Sequence, residues 1–184
     1  MTDYIQPEKM TAAEYLELPE TNLPTELING EVFRMPAPQL NHQDTVLQTA
    51  LFLKQWLTDG KVYVAPVDVY LDELNVVQPD VLWISPDNKR CVSVEGKYLR
   101  GAPDLIIEVL SPGTARRDKR EKFGLYQKYG VREYWMVDFH EQFIEVWQLV
   151  EGKFLLLNVY GPGETFISPL LGEIVKHIFP ERTA

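Results

Sequence analysis

The sequence predicts an α+β fold of the α/β/α sandwich type: a central mixed β-sheet flanked by helices, with hairpins near both ends. Three observations lead there. The runs Val81–Ile84 and Asp104–Leu110 are short, apolar and rich in branched residues, as strands buried on both faces are. Two longer stretches, 41–57 and 114–129, carry apolar residues at helical spacing. Asn29-Gly30 and Glu151-Gly152 each join two strand-like runs through a two-residue turn.

Along the chain, Thr11 to Leu18 reads as a short helix, with Thr11 as N-cap, Glu14 as its capping-box partner and Pro19 as its stop. The Asn29-Gly30 hairpin puts Glu31, Phe33 and Met35 on one face of its second strand. Asn41 to Leu57 is the first long helix, its apolar period carried by Val46, Leu47, Ala50, Leu51, Leu53 and Leu57. Val62 to Leu71 suggests one strand bent near Pro66, followed by a turn over Asp72 to Val77. Residues 85–102, polar and punctuated by Pro86, Gly96 and Gly101, read as a loop. Thr114 to Tyr129 is the second long helix, ended by Gly130, and Glu133 to Asp138 is the next strand. Phe143–Leu149 and Phe154–Tyr160 form the C-terminal hairpin, and a short helix is expected near Gly172 to Ile178.

With 184 residues and no interdomain linker, the chain suits a single domain. The formal charge of −9 argues against a protein that coats nucleic acid non-specifically, though a local basic stripe beside a site would still serve a DNA enzyme. The lone cysteine, Cys91, excludes an internal disulfide and a cysteine-based zinc site. The first ten residues lack an apolar signal-peptide core, and no apolar run reaches the roughly 18 residues of a membrane span, so a cytoplasmic location without membrane contact is expected.

Chemistry concentrates around Glu108. A carboxylate among Leu105, Ile106, Ile107, Val109 and Leu110 is costly to bury uncompensated. Asp80 opens the neighbouring apolar run, and two acids on adjacent buried strands can share a divalent cation, the skeleton of a metal-dependent phosphodiesterase site. At about 100° per residue, Lys122 falls within about 40° of Tyr126 and Tyr129 on the covered face of its helix, where it can pair Glu108 or stabilise a phosphodiester transition state. Residues 114–122 hold the only basic cluster of an acidic chain: Arg116, Arg117, Lys119, Arg120 and Lys122, against Asp118 and Glu121. Such a patch fits phosphate-backbone contact, although charge runs are usually a solvated helix face with pairs such as Asp118–Lys122. Glu26, Glu31, His42 and Asp104 are lesser candidates, and Trp83, Trp135 and Trp147 read as core or interface residues.

The segments ELINGEVFRMP, NH at a helix start, VQPDVLWIS and GAPDLIIEVLSPGTARRDKREKFGLYQKYGVREYWMVD together resemble the Uma-type family of restriction-endonuclease-like proteins, within the PD-(D/E)XK nuclease superfamily. The resemblance spans about residues 8 to 180. It implies a restriction-endonuclease-like core, Asp80 as a metal-binding acid, Glu108 as the acid of the second half-motif, and Mg²⁺ or Mn²⁺ as cofactor, with the Val109 carbonyl as a third oxygen. Glu31 would be the extra acid near the metal, with His42, Asp118 and Lys119 as further accessory residues. The superfamily pattern of acid, any residue, lysine is broken here, because Leu110 stands at the lysine position. Lys122 on the following helix is the natural substitute. The resemblance further implies DNA as substrate, contacts from Arg116, Arg117 and Arg120, and a homodimer, since cutting both strands favours two-fold symmetry. The alternatives are a catalytically degenerate nucleic-acid-binding protein of the same fold, or an interaction protein that dimerises through its tryptophan-rich strands and C-terminal hairpin.

Overall fold

The computed structural model describes residues 9–19, 23–111, 115–174 and 179. In chain order its elements begin α1 (Ala12–Leu16), β1 (Thr25–Ile28), β2 (Glu31–Arg34), α2 (Leu40–Trp56), β3 (Lys61–Val64), β4 (Val69–Asp72), β5 (Asn75–Val77) and β6 (Val81–Ile84). They continue with β7 (Val92–Val94), β8 (Tyr98–Arg100), β9 (Leu105–Val109), α3 (Ala115–Arg117), a π-helical turn (Asp118–Lys122) and α4 (Phe123–Tyr129). The chain then forms β10 (Glu133–Asp138), β11 (Phe143–Val150), β12 (Lys153–Tyr160), β13 (Phe166–Ser168) and β14 (Gly172–Ile174). No helix among the described residues is long and apolar enough to cross a membrane.

The mixed central sheet is ordered β12-β11-β10-β9-β6-β3, with β9 and β10 parallel and the other pairs antiparallel. Every residue of β9 is buried, because both faces of the strand are covered. Leu105, Ile107 and Val109 pack in one core with Val46, Ala50 and Leu53 of α2. Ile106 and Leu110 pack in a second core with Leu125 and Tyr126 of α4 and with Ile28, Val69 and Val77 of a second sheet. Alternation along the strand therefore aims Glu108 away from α2, towards α4 and the second sheet.

The second sheet is where sequence expectation and structure part. Its order is β2-β1-β5-β4-β8-β7. The stretch read as a loop, 85–102, contains the hairpin β7–β8, closed over Glu95-Gly96, both at positive φ. Half-exposed three-residue strands need little apolar sequence, so their pattern is weak. The single bent strand expected from Val62 to Leu71 is two strands in different sheets: β3 pairs β6, whereas β4 pairs β5 and β8. The expected turn over 72–77 includes β5. Near the C-terminus, Gly172–Ile174 is a strand paired with β13 where a helix was expected; residues 175–178 of that expected helix lie outside the described residues. The C-terminal hairpin forms as anticipated and extends the central sheet.

Local signals account for the element ends. Thr11 and Glu14 make the reciprocal capping box. Asn29 and Gly30, at φ 52° and 81°, form the hairpin turn that aligns Ile28 with Glu31 and Glu26 with Phe33. Gly130, at φ 80°, caps α4 in the left-handed conformation and releases the chain into β10.

Candidate functional site

The site forms where β1, β9 and the π-helical turn meet. Lys122 Nζ donates to Glu108 Oε1 at 2.8 Å and lies 2.8 Å from Glu26 Oε1 and 3.6 Å from Asp118 Oδ1. Tyr126 Oη donates to the same Glu108 oxygen at 2.6 Å. Glu26, Glu108, Asp118 and Lys122 are all at most 3% exposed. The π-helical geometry turns Asp118 and Lys122 inward together, and such turns recur at functional sites.

Asp80, just ahead of β6, reaches the adjacent position on β9. Its Oδ2 accepts the Val109 N–H at 2.8 Å and lies 3.3 Å from His42 Nε2 on α2. Asp80 thus reaches β9 from the neighbouring strand at the residue next to Glu108, which β9 itself carries. Each uses one oxygen for these bonds: Lys122 and Tyr126 both act on Glu108 Oε1, while Val109 and His42 both act on Asp80 Oδ2.

The charges do not balance. Burial raises the Glu108 pKa well above the usual glutamate range; Asp118, Asp80 and Glu26 push it further up, against the pull of the Lys122 ammonium. Burial by itself would lower the Lys122 pKa, but Glu108, Glu26 and Asp118 outweigh it and hold the lysine protonated, well above its usual value. Burial likewise opposes the charged form of His42, and the hydrogen bond and charge of Asp80, with the Val109 main chain and Asp118, overcome it and raise the imidazole pKa. Four carboxylates therefore surround one lysine and one histidine.

That donor set suits a hard divalent cation. The oxygens are carboxylate, negative charge is in excess, and Glu26 Oε2 is buried without a hydrogen-bond partner. Among the described residues no three His, Cys, Asp or Glu side chains are already grouped as a ligand set. The residues fit an ion that retains several waters and takes few protein ligands, as Mg²⁺ does.

Glu31 is not among the residues brought together. It lies on the same face of the hairpin as Glu26 but beside the turn, two pairing positions away and exposed. Glu26, opposite Phe33 and further secured by the Gln78 N–H at 2.9 Å, is the acid that enters the cluster. Its sequence signal was the same as that of Glu108, a carboxylate within a short apolar strand. The basic patch is partly self-neutralised: Arg117 stacks over Phe33 at 4.2 Å and lies 4.0 Å from Glu121, while Lys119 lies 3.4 Å from Glu145. Arg120 is exposed, and the Arg116 side chain lies outside the described residues. Asp104, at the opposite end of β9, is buried and accepts from the Ser85 N–H and Asn88 Nδ2, a structural role.

The model of the Uma2 family, described as "Putative restriction endonuclease", matches residues 12–175. The chain belongs to this family. This family member is 28% identical over 158 residues to the uncharacterized protein sll1609 of Synechocystis, an alignment covering 83% of this chain and 88% of the relative. It also superposes, with a TM-score of 0.72 and 21% identity, on a crystal structure from Anabaena variabilis described as "a putative nuclease belonging to DUF820". That match covers 89% of this chain and 91% of the other, and it shows a shared fold.

Proposed function

We propose that the protein is a metal-dependent endonuclease that hydrolyses phosphodiester bonds of DNA, with Asp80 and Glu108 holding Mg²⁺ or Mn²⁺ and Lys122 serving as the catalytic lysine displaced from strand to helix. The observation that carries this reading is the contact of Lys122 with Glu108 at 2.8 Å from a position 14 residues downstream. It supplies the cation that Leu110 cannot. A bound divalent ion would supply Lewis-acid stabilisation of the scissile phosphate and a more acidic water.

The chain's own residues do the rest. Lys122, kept protonated by three carboxylates, presents positive charge where the phosphate becomes more negative. Glu26 and Asp118 hold that ammonium in place, Tyr126 fixes Glu108 Oε1, and the Val109 N–H fixes Asp80 Oδ2. Each acid thereby keeps an oxygen for the ion in a defined orientation. The basic residues of this segment, Arg116, Arg117 and Arg120, would supply the contacts to the DNA backbone.

Calorimetry with Mn²⁺ and Mg²⁺, with and without duplex DNA, tests the reading on the parent, Asp80→Ala and Glu108→Ala. The expected result is binding in the parent, its loss in both variants, and Mn²⁺-dependent cleavage by the parent alone. Absence of ion binding in the parent even with DNA present would favour the non-catalytic alternative.

A further inference from the structure

Helix α2 is apolar on two opposite faces, and one of them is exposed, with no partner among the described residues. His42, Thr45, Val46, Thr49, Ala50, Phe52 and Leu53 are buried against the central sheet. Leu40, Leu47 and Leu51 are 84%, 58% and 55% exposed. Together with Asp44 and Lys54 these three leucines fall within about 40° of a single line down the helix, opposite the buried face. Asp44 and Lys54 are exposed, and neither is in an ion pair among the described residues.

We infer that this stripe is a homodimer surface, in which α2 packs antiparallel against α2 of a second copy about a two-fold axis near the level of Thr49. The stripe is self-complementary in that arrangement. Leu47 comes opposite the partner's Leu51, and Asp44 comes opposite the partner's Lys54. The two-fold repeats both contacts, giving an apolar centre closed at each end by an ion pair. A parallel arrangement would oppose like charges. The acid, the base and the two leucines are thus placed as an isologous contact requires.

A second set of exposed apolar residues, Leu155, Leu156, Leu157 and Val159 on edge strand β12, is less suited to self-pairing. The Phe154 N–H is taken by Gln127 Oε1 at 2.8 Å, the Val159 N–H by Asn158 Oδ1 at 2.8 Å, and a bulge interrupts the register with β11. These features protect an edge from strand addition. A single helix pair is a small interface, so the association is weak and concentration-dependent.

Sedimentation equilibrium of the full chain over a wide concentration range tests this. The apparent mass of the parent should rise from 21.3 kDa towards twice that value. Leu47→Glu with Leu51→Glu should remain monomeric throughout, with an unchanged circular-dichroism spectrum, because the stripe is exposed. Charge reversal tests the register. Asp44→Lys alone and Lys54→Asp alone should each lose the dimer, and an equimolar mixture of the two should regain it, because each then supplies the other's opposite charges. A parent that stays monomeric at every concentration, a leucine variant that still dimerises, or reversed proteins that associate no better mixed than alone would each overturn the inference.

Discussion

Glu108 and Glu133 lie on the parallel neighbours β9 and β10, and both are essentially inaccessible to solvent, at 3% and 0% exposure. Their surroundings differ in kind. Glu133 is held by neutral dipoles: Ser168 Oγ at 2.7 Å, the Leu170 N–H at 2.8 Å and Trp135 Nε1 at 3.0 Å. Burial raises its pKa, and all three donors counter the rise. It ties the β13–β14 segment to the central sheet. Glu108 is held by an ammonium and a phenol but faces three further carboxylates, which add to burial in raising its pKa. A buried acid saturated with dipoles is a structural tie. A buried acid kept among like charges is costly to the fold, and that cost is what the proposed cation site rests on.

The largest effect that would sharpen this contrast is at Lys122. Lys122→Met leaves the acids around it without their buried cation and should cost about 3–5 kcal/mol in urea unfolding. Mn²⁺ should then raise the melting temperature of this variant more than that of the parent, since the ion replaces the missing charge. A loss no greater than that of an exposed lysine would erase the distinction between the two regions.

Next come paired substitutions. Glu133→Gln turns an amide towards donors and should cost about 1–3 kcal/mol without altering Mn²⁺ binding. Glu108→Gln should do the reverse. The folded-state pKa of Glu108 is raised, so its neutral form favours the fold, and the ionised form becomes a growing penalty as pH rises above the usual glutamate value of 4.5. The variant should therefore be at least as stable as the parent at pH 8 while losing Mn²⁺ binding. Equal stability losses in both variants would show that the two acids serve the same purpose.

His42 gives a smaller, pH-dependent signal. Its folded-state pKa is raised, so its protonation stabilises the fold fully below the usual value of 6.5, and that contribution fades as pH rises through the raised folded value. Urea midpoints of the parent should fall over that window, and His42→Gln should flatten the decline; an unchanged slope would remove His42 from the cluster's electrostatics. Smallest of all is Lys119→Ala. Its pair with Glu145 at 3.4 Å is solvent-screened, and stability should stay within about 0.5 kcal/mol of the parent. A larger loss would mean that the basic patch is as structural as Glu133.

Much of the site was legible because a carboxylate in a short apolar strand is conspicuous at any position. Glu108 stood out on that ground, and Lys122 followed from helical spacing against Tyr126. Glu26 carried the same signal, but the family resemblance pointed to Glu31, which shares its face and stands at the exposed end. On α2 the period suggested one apolar stripe including Leu47 and Leu51, whereas the buried face is Val46, Ala50 and Leu53 with polar Thr45 and Thr49. Periodicity reports that a helix has apolar faces, and only the neighbouring layer decides which face is covered. The hairpin β7–β8 leaves little trace in the sequence because edge strands draw their stability from main-chain pairing more than from apolar side chains.

By itself the sequence determined the α+β class, the two long helices, the hairpin turns at Asn29-Gly30 and Glu151-Gly152, and the burial of Glu108, since each follows from local conformational preference or from side-chain alternation. Tertiary structure alone decided the second sheet, the choice of Glu26 over Glu31, the separation of β3 from β4 and the approach of His42 to Asp80. Those depend on which segments, far apart in the chain, come to share a layer, and pairing between distant strands and helices leaves no mark on the local pattern of residues.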